Sequence, residues 1–146
     1  MSKILRYKDK HGSYQLFFKD SILRGLVIGS VGEFLSGHFH ADILALVAEE
    51  DLHSWAYYGD LLLCDGVTCE AEQTILKTHT FCIENGCCVD AYRIQSPLII
   101  GQIRRISSKM GVKSNLDSQI FDHEEGALSF LHKEIEKYAL HHPDLK

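Results

Sequence analysis

Cys64, Cys69 and His79 are the side chains whose types come nearest to a catalytic set: two thiols and an imidazole able to act as a base. Thiol catalysis needs a nucleophile oriented by a base, and the base oriented in turn by an acid. Cys69 falls at a predicted helix start, where the helix dipole favours negative charge. Against this, an unpaired cysteine also serves simply as a small apolar packing residue. The expectation is a protein that is not an enzyme, with thiol or redox chemistry at Cys64 or Cys69 as the residual alternative. Two carboxylate pairs, Glu49-Glu50 and Glu124-Glu125, are adjacent residues on helix surfaces and read as solvated rather than as an acid and base facing a substrate.

Metal chemistry is the next possibility. His38 and His40 lie two apart, a spacing that places both imidazoles on one side of a strand but on different sides of a helix. Cys82, Cys87 and Cys88 would add sulfur, but their spacing matches no familiar zinc set, and a structural zinc takes four ligands. No metal and no cofactor are expected. Gly25, Gly29 and Gly32 are spaced GxxxGxxG rather than GxGxxG, and no acidic residue closes a following strand, so they predict a bulge or turn and not a dinucleotide loop. Arg104, Arg105, Lys109 and Lys113 form the one basic cluster. They read as the solvated face of a helix, with an acidic partner or a phosphate group as the alternative.

The elements that would position these residues follow from apolar periodicity. Tyr14 to Phe18 and Ile22 to Ser30, joined at Lys19-Asp20, predict an opening hairpin. Phe39, Ile43, Leu46 and Val47 recur at helical spacing and predict a helix from Gly37 to Asp51. Trp55 to Cys64 predicts a central, mostly buried strand, followed by an Asp65-Gly66 turn. Trp55, Tyr57 and Tyr58 in that strand would be core on one face and a binding surface wherever exposed. A helix capped by Thr68 follows, with Ala71, Ile75, Thr78 and Cys82 inward, ending at Asn85-Gly86.

Cys87 to Ile94 predicts another strand. Ser96-Pro97 opens a helix with Ile99, Ile103, Ile106 and Met110 inward, closed by Gly111. Ser118 to Phe121 is a short strand, and Asp122 with Glu125 is a capping-box-like start to a last helix facing Leu128, Leu131, Ile135 and Tyr138 inward. The resulting order, ββαβαβαβα, predicts a single α/β domain with a mixed, largely parallel sheet of four or five strands and flanking helices. Its core would span about residues 13–138, with residues 1–12 and 141–146 flexible.

Composition narrows the partners. The chain has 146 residues, 45% of them hydrophobic, enough for one core. A formal charge of −5 disfavours nucleic acid and anionic membrane, which need a concentrated positive field. No apolar run approaches the roughly 20 residues of a membrane helix, and the N-terminus lacks the features of a secretory signal. Five scattered cysteines, an odd number, suit a reducing compartment. A cytoplasmic location is expected.

The element order from Ser13 to Tyr138, the strand-turn-helix LLLCDGVTCEAE and the ending QIFDHEEGALSFL together resemble the STAS-like superfamily, in particular the small SpoIIAA-like bacterial relatives of anti-sigma-factor antagonists. The resemblance implies a regulatory protein-interaction module of STAS/SpoIIAA-like fold in a bacterial cytoplasm, with a protein partner that includes kinase-like regulators. In the antagonist branch a serine in an Asp-Ser-Ser-Gly type turn is phosphorylated. The matching segment here is Asp65-Gly66-Val67-Thr68, where Asp65 fits but no serine occurs, so the phosphoswitch does not carry over intact. Thr68 is the only nearby hydroxyl, and helix capping is its first role.

The expected partner-binding residues are therefore Asp65, Gly66, Val67, Thr68 and Glu72. The alternative is a module that holds a small apolar or acyl ligand between a helix and the sheet, as some STAS-like proteins are thought to do. Homodimerisation is compatible with either.

Overall fold

The computed structural model describes residues 3–111 and 116–141. Its elements in chain order are β1 (Leu5–Lys8), β2 (Gly12–Lys19), β3 (Ile22–Val31), α1 (Glu33–Glu50), β4 (Trp55–Asp60), β5 (Cys64–Val67), α2 (Cys69–Glu84), β6 (Cys87–Arg93), α3 (Pro97–Lys109), β7 (Ile120–Phe121) and α4 (Glu124–His141), with a 3-10 turn at Leu116–Gln119 before β7. The sheet runs β1-β2-β3-β4-β6-β7, and β5 lies beside β3 further along that long strand. β1, β2 and β3 pair antiparallel, while every later pairing is parallel.

The hairpin turn falls at Asp20-Ser21, one residue later than expected. Both residues have positive φ, 53° and 64°, as the tightest turns between twisted strands require. α1 starts at Glu33, not Gly37, so Gly37 lies inside the helix. Local capping signals hold elsewhere. Thr68 Oγ1 accepts from the Ala71 amide at 3.2 Å, Ser96 Oγ accepts from the Ile99 amide at 3.4 Å with Pro97 first in the helix, and Gly86 follows α2 with φ 106°. α4 begins at Glu124, one residue later than a capping box at Asp122 and Glu125 would set.

Three elements depart from the sequence expectation. β1 pairs with β2 from Leu5 to Lys8, so that part of residues 1–12 belongs to the sheet and is not a flexible arm. The expected strand Trp55–Cys64 is two strands separated at Leu61–Leu63, and the expected Asp65-Gly66 turn lies within β5. With β1 and this division, the described residues hold seven strands rather than four or five. Only Ile120 and Phe121 of the expected strand 118–121 are extended. Lys113 and residues 142–146 lie outside the described residues.

Two cores result from the alternation of side chains along the strands. Leu16, Phe18, Leu23, Trp55, Tyr57 and Tyr92 face α1, α2 and α3. Ile22, Ala56, Tyr58 and Ala91 face Ala127 and Leu131 of α4 on the other side. β4 is buried on both faces, as its run of large apolar residues demands. Trp55, Tyr57 and Tyr58 are consequently core residues, not a binding surface.

Candidate functional site

β3, β5 and β6 point the same way, and each leads into a helix: β3 into α1, β5 into α2 and β6 into α3. The N-termini of three helices therefore gather along the carboxyl edge of the sheet, the usual place for sites in open α/β sheets. Gly29 makes this edge possible. It has a φ of 83°, the β3–β5 register shifts just after it, and a β-carbon there would stand 2.5 Å from the His11 carbonyl oxygen. The Gly29 amide donates to the Leu63 carbonyl at 2.9 Å, which ties the turn between β4 and β5 to β3.

Beyond that turn, Asp65 is exposed and Gly66 is half-buried. The Val67 side chain packs against the core, while its backbone is held by Gln102 of α3: the Val67 amide donates to Gln102 Oε1 at 3.1 Å, and Gln102 Nε2 donates to the Val67 carbonyl at 2.9 Å. The Thr68 amide donates to the Val31 carbonyl at 3.0 Å, so the start of α2 is fixed to β3 as well. The four-residue segment is thus a braced ridge rather than a loose turn.

Glu72 was expected to contact a partner but is only 6% exposed. Arg105 grips it with both arms of its guanidinium, Nε to Oε1 at 2.8 Å and Nη2 to Oε2 at 2.6 Å. These charge-assisted bonds hold the Glu72 carboxyl below its ordinary pKa against the opposing effect of burial. Glu72 therefore braces α2 against α3 and does not present itself to solvent. The basic cluster is correspondingly less free than it reads, because Arg104 is also paired, with Asp117 at 3.0 Å.

Exposed apolar side chains lie on the elements that meet at the ridge, and little in the sequence marks them. Phe34 in the first turn of α1, Leu63 before β5 and Leu98 in the first turn of α3 are 73%, 56% and 58% exposed. A β-carbon added at Gly66 would meet Leu98 Cδ2 at 3.9 Å, so Leu98 stands beside the ridge. Leu98 was legible in one respect, since it lies off the Ile99, Ile103, Ile106 stripe that buries α3.

The other candidate groups are dispersed. His38 stacks on Tyr7 with ring centroids 3.8 Å apart, whereas His40 Nδ1 meets Thr78 Oγ1 at 2.8 Å. No three His, Cys, Asp or Glu side chains among the described residues gather as metal ligands would. Cys64 is buried, and burial pushes its thiol above the ordinary value, which works against a thiolate nucleophile. Cys69 is exposed at the start of α2.

A cavity of about 200 Å³ opens between the helices and the sheet, with Phe39, Tyr57, Cys82, Val89 and Met110 in its wall. A smaller, more apolar cavity of about 60 Å³ shares Phe39, Tyr57 and His79 with it. Burial lowers the pKa of His79, although the nearby Asp90 charge opposes this. Asp90 is itself engaged by Tyr92 Oη at 2.6 Å and Gln119 Nε2 at 2.7 Å. Burial also drives Cys82 up to about 12. The cavity wall is thus mostly apolar, with the His79 imidazole biased toward its neutral form by burial and the Asp90 side chain held by hydrogen bonds.

No family profile and no curated protein matches this sequence. Solved structures do match. An uncharacterized protein of the DUF3478 family with a SpoIIAA-like fold, from Shewanella loihica PV-4, superposes with a TM-score of 0.59 at 15% identity over 89% of this chain and 93% of its own. An anti-sigma factor antagonist from Mycobacterium paratuberculosis gives 0.53 at 17% identity, over 82% of this chain and 92% of its own. The phosphorylated form of SpoIIAA, a cell fate determinant of Bacillus, gives 0.56 at 13% identity, over 80% and 97%. The fold is therefore SpoIIAA-like, the architecture that the resemblance in the sequence implies. No helix among the described residues is long and apolar enough to cross a membrane.

Proposed function

We propose that this chain is a non-enzymatic regulatory module that binds another protein through the ridge Asp65, Gly66, Val67 and Thr68. The observation that carries this reading is the exposed Leu98 standing beside a braced backbone at the carboxyl edge of the sheet, with Phe34 and Leu63 exposed at the adjoining starts of α1 and β5. Apolar side chains held out on a rigid support bury area on binding without a large ordering cost. The N-terminus of α2 adds a weak positive end that favours an acidic group on the partner. The fold shared with an anti-sigma factor antagonist supports a regulatory partner, and the resemblance in the sequence makes a kinase-like regulator the candidate to look for. No serine occupies the ridge, so a serine phosphoswitch does not carry over intact, and Thr68 Oγ1 accepts the capping bond of α2.

The test is to recover the partner by in-cell cross-linking from the source organism, and then to measure its affinity for the wild type, Asp65→Lys and Leu98→Glu. Both substitutions alter exposed side chains, so melting temperature should stay close to wild type while affinity falls in Leu98→Glu and departs from the wild-type value in Asp65→Lys. Wild-type affinity in both variants would move the interface away from the ridge.

A second reading rests on the cavity beside His79. Its wall suits a small apolar or acyl molecule lying between α2 and the sheet. Native mass spectrometry of freshly purified protein checks it, and a bound mass that disappears in Cys82→Trp would support it.

A further inference from the structure

The protein has five arginines, and three are held by carboxylates: Arg93 by Asp60 at 3.4 Å, Arg104 by Asp117 at 3.0 Å and Arg105 by Glu72 at 2.6 Å. The other two, Arg6 and Arg24, lie on one half of one sheet face, and among the described residues no acid is within ion-pair distance of either. Strand register puts them there. Arg6 is opposite Gln15, Gln15 opposite Leu26, and Phe17 opposite Arg24, all on the face away from α1, α2 and α3. α4 covers the other half of this face, packing on β4 and β6.

On the uncovered half, Phe17 and Leu26 are half-buried and Ile28 is 40% exposed. Arg24 stands 5.9 Å above the Phe17 ring, and its buried Nε has no acceptor. Arg6 Nε donates to Gln15 Oε1 at 3.0 Å, a neutral acceptor. Lys8 adds a third cation beside Ser13 and Ile28. β1, β2 and β3 place no carboxylate on this face. In a chain of formal charge −5, it is a cationic surface with an apolar centre.

We propose that this half-face is a second docking surface, for an acidic segment of a partner protein whose carboxylates pair with Arg6 and Arg24 and whose apolar side chains cover Phe17, Leu26 and Ile28. Charge complementarity selects that occupant. A second copy docked through the same surface would set like charges against each other, and an anionic bilayer would be repelled by the rest of the molecule. Guanidinium groups lacking a carboxylate are also the ones that gain most from a bidentate acidic partner.

The probe is a synthetic peptide alternating glutamate and leucine, with a lysine-leucine peptide of the same pattern as control. Binding is followed by backbone amide shifts and by titration at two salt concentrations. The acidic peptide should shift amides of β1, β2 and β3, the basic one should not, and affinity should fall with salt. Arg6→Gln and Arg24→Gln should each weaken binding by about tenfold, and Lys77→Gln on α2 should not. Arg6 is exposed, so its variant reports even where Arg24→Gln fails to fold. Wild-type affinity in Arg6→Gln, shifts confined to residues 65–68, equal binding of both peptides, binding only to phosphatidylglycerol vesicles, or a dimer that Ile28→Glu dissociates would each overturn the proposal.

Discussion

Gln102 of α3 occupies the place of a neighbouring strand beside Val67, its Oε1 accepting from the Val67 amide at 3.1 Å and its Nε2 donating to the Val67 carbonyl at 2.9 Å. Gln102 is itself 8% exposed, so both bonds are shielded from water. This substitution of a side-chain amide for a strand lets β5 end a sheet edge without leaving backbone groups unpaired. Gln102→Leu should therefore cost about 1 to 3 kcal/mol for each backbone group left without a partner. Hydrogen exchange should show the Val67 amide losing protection while β2 and β4 keep theirs. Unchanged protection at Val67 would mean that Gln102 is incidental to the ridge.

Thr68 closes the same ridge from the helix side. Its hydroxyl satisfies the Ala71 amide, and removing it in Thr68→Ala should destabilise the protein by about 0.5 to 2 kcal/mol in urea unfolding. Thr68→Asp restores an acceptor at the cap and should recover most of that loss. A Thr68→Asp variant as unstable as Thr68→Ala would remove capping as the role of this hydroxyl.

What could be read in the sequence was local. Thr68 and Ser96 announce helix starts because a capping hydroxyl acts on an amide three residues away, and the Ile99, Ile103, Ile106 stripe declares the buried face of α3. Leu61-Leu62-Leu63 misled because three apolar residues after Asp60 look like more strand. The break there is a turn, closed by the Cys64 amide on the Leu61 carbonyl at 3.2 Å and tied to the neighbouring strand by the Gly29 amide on the Leu63 carbonyl at 2.9 Å. Leu61 is 9% exposed and Leu63 56%, and no local pattern separates them. β1 was missed because Arg6 and Lys8 alternate with Leu5 and Tyr7 over only four residues, too short a run to distinguish from a tail. The burial of Glu72 was not legible because its partner Arg105 is 33 positions away.

The Glu72–Arg105 pair predicts a pH dependence. The ordinary glutamate value is 4.5, and the folded protein holds Glu72 below it, chiefly through the bonds from Arg105. The stabilisation is therefore present above pH 4.5 and is lost as pH falls from there through the lower folded value, where the unfolded chain takes up the proton first. Arg105→Gln should flatten this part of the stability curve, measured as urea midpoints across the acid range. An acid limb as steep as wild type in Arg105→Gln would assign the dependence to other carboxylates.

His79 predicts a second limb at higher pH, and this one reports on the cavity. Burial lowers its pKa from the ordinary 6.5, so the folded state prefers the neutral ring while the unfolded chain binds a proton readily. Stability should then be fully present above pH 6.5 and decline as pH falls through the lowered folded value. His79→Gln keeps a hydrogen-bonding side chain but cannot titrate, so its urea midpoint should be level across this window while wild type declines. Asp90 moderates the effect because its charge favours the protonated ring, and Asp90→Asn should lower the His79 pKa further. A histidine titration followed by NMR separates the two. If His79 titrates at its ordinary value and the wild-type midpoint is flat from neutral pH downward to the carboxylate range, the cavity is wet enough to solvate the ion, and an apolar occupant loses its physical basis.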